Sequence, residues 1–104
     1  MELNEYQNRA AVTAIYPEEY QITYPLIGLI AEVGEFSNKY KKVLRDNTAI
    51  DRENAVAELG DVLWYLSAIS NDMGISLDEI ATKNLYKLED RKNRGVLSGS
   101  GDNR

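Results

Sequence analysis

The chain contains no cysteine and no histidine. It therefore has no disulfide bonds and none of the zinc sites that are built from those two residues. The same absences exclude a cysteine nucleophile, a Ser–His pair and a histidine general base. Any catalysis must depend on carboxylates, a metal ion, lysine, arginine or tyrosine.

Long apolar runs are also absent. No stretch approaches the roughly 18–20 residues of a membrane span, and no secretory signal opens the chain. We therefore expect a cytoplasmic protein with no membrane partner. The net charge of −5, from 12 basic and 17 acidic residues, argues against a role in coating nucleic acid.

A length of 104 residues corresponds to one domain, and 43% hydrophobic residues provide a small core. The hydrophobic pattern predicts four helices and no strand. The first spans residues 2–15 and stops at Tyr16-Pro17, because a residue before proline avoids the helical region. The second begins at an N-cap, Thr23, and ends before a polar turn at residues 45–50.

Stronger signals delimit the third and fourth helices. Asp51 and Ser76 are predicted N-caps, and Gly74 and Gly95 are predicted to end the two helices. Short connections between all four predict an all-α, four-helix antiparallel bundle, with a helical domain at 1–95 and a Gly/Ser-rich tail at 96–104. A chain this small often gains stability by self-association, which favours a dimer or tetramer.

Two acidic pairs lie in the middle helices, Glu32-Val33-Gly34-Glu35 and Glu58-Leu59-Gly60-Asp61. Residues three apart on a helix are neighbours, with Cβ atoms about 5–6 Å apart. Adjacent antiparallel helices would bring the four carboxylates together, where they repel one another unless a cation lies among them. Oxygen ligands alone favour Mg²⁺, with Mn²⁺ as a possible substitute.

The third helix strengthens this prediction because it is apolar on two sides. Its narrow polar sector holds Glu58, Asp61 and Tyr65, and buried acids are costly unless they are paired or bound to metal. The alternative is a set of solvated acids and surface ion pairs, such as Glu35 with Lys39 at i, i+4. A di-iron carboxylate site is disfavoured, since it uses Glu-x-x-His motifs.

Other side chains near the acids are candidates for substrate contacts. Lys39 and Lys42 share the helical sector of Glu32 and Glu35, where they would belong to the same site or be ordinary surface lysines. Tyr65 lies one turn beyond Asp61 in the polar sector, where it would face the site or be a boundary aromatic. Trp64 is expected roughly opposite the acids, in the core or at a subunit contact.

The two acidic pairs, separated by 22 residues, resemble the E-x-x-E…E-x-x-D signature of MazG-type nucleoside triphosphate pyrophosphohydrolases. The surrounding residues agree with this family. They are Leu29-Ile30-Ala31, Val62-Leu63-Trp64-Tyr65-Leu66 and Asn84-Leu85-Tyr86-Lys87-Leu88. The similarity covers nearly the whole chain, as a small single-domain form.

The resemblance implies hydrolysis of a nucleoside triphosphate between the α and β phosphates, giving a monophosphate and pyrophosphate. It implies that Glu32, Glu35, Glu58 and Asp61 hold Mg²⁺, with Glu35 taking the proton of the attacking water. With a nucleotide as substrate, Lys39 and Lys42 would contact phosphates, and the Tyr65 ring would stack on a base or sugar. Contacts to the nucleotide are also implied for residues of the last helix and the tail. These are Asn84, Lys87, Arg91 and Arg104, the last closing over phosphates at a neighbouring subunit's site in a homodimer or homotetramer.

Two alternatives remain at this stage. Phosphoribosyl-ATP pyrophosphohydrolases and dimeric dUTPases have similar acidic motifs and bundles. A helical interaction module without turnover would keep the bundle, although the complete set of acids and the adjacent basic residues disfavour it.

Overall fold

The computed structural model describes residues 1–104, which form four α-helices and no strand, so the all-α, four-helix expectation is confirmed. A single turn of 3₁₀ helix, Glu18–Tyr20, lies between the first two helices. The helices are α1 (Leu3–Ala11), α2 (Thr23–Asp46), α3 (Arg52–Met73) and α4 (Leu77–Asn93).

The predicted ends of α3 and the start of α4 are confirmed, because they depend on local chemistry. The Asp51 carboxylate accepts hydrogen bonds from the backbone N–H groups of Glu53 and Asn54, and the Ser76 hydroxyl accepts one from Glu79. Gly74 ends α3 in the left-handed conformation, at φ 71°.

Two other boundaries differ from the prediction. α1 ends at Ala11, four residues early, in a turn where the Thr13 hydroxyl donates to the Ala10 carbonyl at 2.7 Å. Thr23 is the first residue of α2 and does not cap it. The preceding residue, Ile22, has φ 66° and provides no side-chain cap, which is unusual for a β-branched residue.

The packing centres on α3, which lies against α2 along its length and also contacts α1. The two neighbours agree with the apolar character of this helix on two sides. α4 packs on α1 and has little contact with the α2–α3 pair. The radius of gyration is 16.6 Å, compared with about 13 Å for a compact domain of this length.

A buried glutamine joins α1 to the junction of α3 and α4. Gln7 donates hydrogen bonds to the Asn71 side chain at 3.0 Å and to the Ile75 carbonyl at 2.9 Å, and it accepts one from the Leu77 N–H at 2.7 Å. Because all three partners belong to this junction, Gln7 sets the position from which α4 departs.

Much of the apolar surface remains exposed in the single chain. Only Ala68 and Leu77 are buried among the hydrophobic residues, apart from Pro25 in the first turn of α2. The exposed apolar side chains of α2 and α3 include Leu26, Ile27, Ile30, Val33, Leu44, Val56, Leu59, Leu66 and Met73. None of the helices has the length and apolar character needed to cross a membrane.

Candidate active site

Three carboxylates converge where α2 faces α3. One oxygen from each of Glu32, Glu58 and Asp61 lies within 4.8 Å of the others, and we call these residues the acidic cluster. Glu58 is buried, Glu32 is half-buried and Asp61 is exposed. The short 47–51 connection makes α2 and α3 antiparallel neighbours, so the middle of one helix faces the middle of the other.

The acidic cluster is not satisfied by the protein alone. Glu32 Oε2 and Glu58 Oε2 are buried and have no hydrogen-bond partner, and leaving such atoms unpaired is costly. Burial raises the pKa of Glu32 above its usual range, and the charges of Asp61, Glu35 and Glu58 raise it further. A divalent cation fits this site, because the available donors are all carboxylate oxygens.

The fourth predicted acid, Glu35, lies next to the cluster and is linked to it by an ion pair with a shared lysine. Lys39 Nζ lies 2.5 Å from Glu58 Oε1 and 3.8 Å from Glu35 Oε1. The hydrogen bond with Glu58 raises the pKa of Lys39. The expected ion pair between Lys39 and Glu35 is present, but the same ammonium also forms an ion pair with Glu58 on α3.

A cleft of about 330 Å³ opens beside the acids, lined by Glu32, Asp61, Thr13, Trp64 and Tyr65. A second cleft of about 290 Å³ shares the last three of these residues and continues along the α1–α2 connector. Its main walls are aromatic, and we call the rings of Tyr16, Tyr24, Trp64 and Tyr65 the aromatic cleft. The acids and the aromatic rings thus line one continuous surface.

Aromatic contacts organise the two walls of this cleft. Tyr16 and Tyr24 stack with their ring centroids 4.7 Å apart, while Trp64 and Tyr65 meet edge to face at 5.1 Å. The Trp64 indole donates to the Thr13 hydroxyl at 2.7 Å. Burial raises the pKa of the Tyr65 hydroxyl, with smaller contributions from Tyr24, Glu32 and Asp61.

Asp72 of α3 fixes the connector that forms one wall. Its Oδ2 atom accepts hydrogen bonds from the Tyr16 hydroxyl at 2.7 Å and from the Ile22 backbone N–H at 2.8 Å. The second of these bonds holds the positive-φ backbone of Ile22. Burial raises the pKa of Tyr16, and its hydrogen bond to Asp72 adds to the shift.

Gly28 allows Tyr65 to lie directly against α2. A Cβ atom at this position would be 2.1 Å from Tyr65 Cε1, which is far inside van der Waals contact. Gly34 and Gly60, inside the two acidic motifs, would meet nothing within 4 Å. The missing side chain is therefore required for packing at Gly28 and not at the other two positions.

The remaining predicted residues lie in different places. Tyr65 lies beside the acids, as expected, but the expectation that Trp64 points away is wrong, because Trp64 lines the same cleft as Glu32 and Asp61. The spacing of three from Asp61 to Trp64 already places the two on neighbouring sides of α3. Lys42 is exposed and forms no salt bridge with the cluster.

The residues of α4 and the tail form a separate charged group. Asn84 is exposed on α4. Lys87 and Arg91 both contact Asp102, at 2.7 Å and 3.2 Å, and these hydrogen bonds, led by that of Lys87, lower the pKa of Asp102. The Arg104 guanidinium donates to the carbonyls of Val96, Leu97 and Gly101, so it holds the tail in a folded conformation.

Several residues of the site were missing from the sequence-based prediction. Tyr16, Tyr24 and Asp72 complete the aromatic cleft, and Gly28 makes room for Tyr65. A glycine inside a strongly helical segment was an available signal, since it costs about 0.5–1 kcal/mol relative to alanine and implies a close approach. No spacing rule connects Asp72 with a connector fifty residues earlier.

Comparisons with known proteins agree with this geometry. The family model described as "MazG nucleotide pyrophosphohydrolase domain" matches residues 23–96, from the start of α2 to three residues past the end of α4. The "Gene 37 protein" of Mycobacterium phage L5 is 42% identical over 114 aligned positions that cover 100% of both chains. No solved structure matches the chain. The matched segment contains both acidic motifs, and the chain belongs to the MazG nucleotide pyrophosphohydrolase family.

Proposed function

We propose that this protein is a cytoplasmic, Mg²⁺-dependent enzyme that hydrolyses a nucleoside or deoxynucleoside triphosphate between the α and β phosphates. The products are a nucleoside monophosphate and pyrophosphate. The observation that carries the proposal is the acidic cluster, with three converging carboxylates and two buried oxygens that have no partner within the chain. Membership of the MazG family supports a nucleotide as the substrate.

Glu32, Glu58 and Asp61 would hold the divalent ion, with Glu35 at its edge. When bound, such an ion neutralises phosphate charge and lowers the pKa of a water molecule at the site. Glu35 is suited to accept the proton of the attacking water, because its half-exposed side chain lies outside the three converging carboxylates. Mn²⁺ would substitute, because it also accepts oxygen ligands.

The aromatic cleft is the proposed site for the base and sugar. It adjoins the acidic cluster through Thr13, Trp64 and Tyr65, and base–aromatic stacking stabilises binding by about 1–3 kcal/mol per base. Lys39 and Lys42, on the other side of the cluster along α2, would contact the triphosphate. This arrangement orders base, sugar and phosphates along a single groove.

The proposed contacts of Asn84, Lys87, Arg91 and Arg104 require assembly. α4 packs on α1 and departs from the α2–α3 pair, so these side chains would reach a nucleotide within a homodimer or homotetramer. The exchange of Asp102 for phosphate would release Lys87 and Arg91 for such contacts, because Asp102 is exposed.

The accessible surface supports self-association. The chain exposes 7811 Å², whereas a compact monomer of 11.7 kDa exposes about 5,900 Å². The excess of about 1,900 Å² per chain corresponds to the area that one subunit buries in a large, obligate homodimer interface. Light scattering should give at least a dimer at micromolar concentration, and a monomer would contradict the proposal.

The activity is tested by measuring pyrophosphate release from dCTP, dUTP, dTTP, the ribonucleoside triphosphates and phosphoribosyl-ATP, with Mg²⁺ and with EDTA. The proposal predicts equimolar monophosphate and pyrophosphate in Mg²⁺ and none in EDTA. Turnover confined to dUTP or to phosphoribosyl-ATP would select one of the related enzymes instead. Absence of both turnover and Mn²⁺ binding by calorimetry would select a helical interaction module.

A further inference from the structure

We propose that Lys39 is an internal counter-ion of the acidic cluster, one that leaves Glu58 when a divalent ion binds and is then free to contact the substrate phosphates. The inference rests on the proposed function and adds an order of events to it. Lys39 would pass from a carboxylate to a phosphate, so metal binding would prepare the phosphate contact.

The first observation is the geometry of the ion pair. Lys39 extends from α2 across to α3, and its ammonium lies 2.5 Å from Glu58 Oε1, the most buried carboxylate of the cluster. It is also 3.8 Å from Glu35 Oε1, on its own helix. No other lysine or arginine forms a salt bridge with Glu32, Glu58 or Asp61. Lys39 is therefore the single internal cation of this site.

The second observation is that Lys39 leaves the site incompletely neutralised. One ammonium faces three converging carboxylates, and Glu32 Oε2 and Glu58 Oε2 remain without partners. A single monovalent group therefore holds the cluster together without satisfying it. A divalent ion with several open coordination positions fits the same oxygens better, so replacement of Lys39 is favourable.

The third observation concerns the freedom of the two partners. The Lys39 side chain is 43% exposed, whereas that of Glu58 is 9% exposed. Lysine carries its charge on a flexible four-carbon stem, so Lys39 can move into solvent while α2 and α3 stay in place. Glu58 has no comparable freedom, and it remains at the site when the pair separates.

Calorimetric titration with Mn²⁺ in the absence of nucleotide tests the proposal. Lys39→Met removes the competing ammonium and keeps much of the stem, while Lys41→Met removes the same charge from an exposed position on α2. We expect Lys39→Met to bind Mn²⁺ roughly five-fold more tightly than Lys41→Met, because a like charge next to the ligands is gone. In EDTA, Lys39→Met should have the lower Tm, since Glu58 loses its partner.

A crystal structure of the unmodified protein with Mn²⁺ makes the test independent of any variant. The expected result is Mn²⁺ on the acidic cluster with Lys39 Nζ beyond hydrogen-bond distance of Glu58. Equal Mn²⁺ affinities for the two variants, or a Lys39–Glu58 contact that persists beside bound Mn²⁺, would overturn the inference and leave the proposed function standing. A wild-type protein that binds no Mn²⁺ would contradict the proposed function itself.

Discussion

The acidic cluster and the basic end of α4 both gather like charges around a single opposite charge, but in different surroundings. In the first, Lys39 lies among carboxylates on α2 and α3. In the second, the Asp102 carboxylate lies between Lys87 and Arg91. Each region thus places one opposite charge where like charges gather.

The two regions differ in the burial of their carboxylates. The Glu58 side chain is 9% exposed and that of Asp102 is 77% exposed. An exposed carboxylate is screened by water and salt and contributes little to stability, whereas removing the partner of a buried carboxylate leaves a costly unpaired charge. The Arg91 side chain is itself only 7% exposed, but it also donates to the Asp102 backbone carbonyl at 2.7 Å, a bond that does not depend on the carboxylate. The Glu58 carboxylate is therefore held in place, whereas the Asp102 carboxylate can leave its partners at little cost.

The largest effect on activity should come from the acidic cluster, where the carboxylate is buried. Glu58→Gln removes one carboxylate of the acidic cluster and should lower kcat/KM by about 10²–10³-fold, the loss typical of one stabilising contact, ~2.7–4 kcal/mol. Circular dichroism and Tm without metal should remain close to wild type, because a repelling charge is lost together with the Lys39 pair. Pyrophosphate release measures the rate.

Glu53→Gln provides the control, since Glu53 lies in the first turn of the same helix, outside the cluster. Its turnover should match that of the wild-type enzyme. If Glu58→Gln also retained wild-type turnover, the assignment of the acidic cluster would be wrong.

The second-largest effect is expected at Gly28, where α2 and α3 approach each other closely. Gly28→Ala places a methyl group against the Tyr65 ring, and overpacking of this kind costs about 1–3 kcal/mol. We expect a lower Tm and a higher KM, because Tyr65 is pushed into the cleft. Gly34→Ala on the same helix meets open space and should be neutral or stabilising by up to ~1 kcal/mol. Equal effects of the two substitutions on Tm would contradict the Tyr65 contact.

A smaller effect is expected at the exposed region. Asp102→Asn frees Lys87 and Arg91 from a competing carboxylate and should lower KM for the triphosphate roughly two- to five-fold, by improving electrostatic complementarity. Tm should fall only slightly, because the buried Arg91 keeps its hydrogen bond to the backbone carbonyl of residue 102. Glu89→Gln removes the same charge from an exposed position on α4, and it should leave KM at the wild-type value. A higher KM for Asp102→Asn would indicate that the tail itself supports substrate binding.

The smallest effect is a difference in titration between the two regions. The pKa of Glu32 is raised mainly by burial, and that of Asp102 is lowered by hydrogen bonds from Lys87 and Arg91. Carboxyl ¹³C NMR in metal-free buffer should therefore give a midpoint above 4.5 for Glu32 and below 3.8 for Asp102.

The two shifts act on stability with opposite signs. Asp102 stabilises the fold above its unfolded pKa, and this contribution is lost as the pH falls through its lowered folded pKa. Glu32 opposes folding at neutral pH, and the opposition is relieved as the pH falls through its raised folded pKa. If NMR gave ordinary pKa values for both Glu32 and Asp102, the inferred difference between the buried and the exposed carboxylate would be wrong.

Local signals in the sequence predicted a large part of this fold. Asp51, Ser76 and Gly74 delimit helices through contacts with residues a few positions away, so their chemistry can be read directly from the chain. The convergence of Glu32 with Glu58 and Asp61 was also predictable, because helical spacing and a short connection bring the two motifs together.

Features that depend on distant partners were not predictable. The unusual backbone of Ile22 is held by Asp72, fifty residues away. Lys39 was expected to pair within its helix or to contact phosphates, whereas its closest partner is Glu58 on the next helix. The position of Trp64 was misjudged from the helical periodicity, although the information needed to place it was present.

One wall of the aromatic cleft is fixed by a residue that lies outside the acidic cluster, Asp72. This carboxylate fastens the Tyr16 ring and the Ile22 backbone, yet it belongs to neither acidic motif. Exchanging residues along the connector would change one wall of the aromatic cleft and leave the acidic cluster unchanged. Related chains can therefore differ in the shape of the aromatic cleft, the proposed site for the base and sugar, while they keep the same acidic cluster.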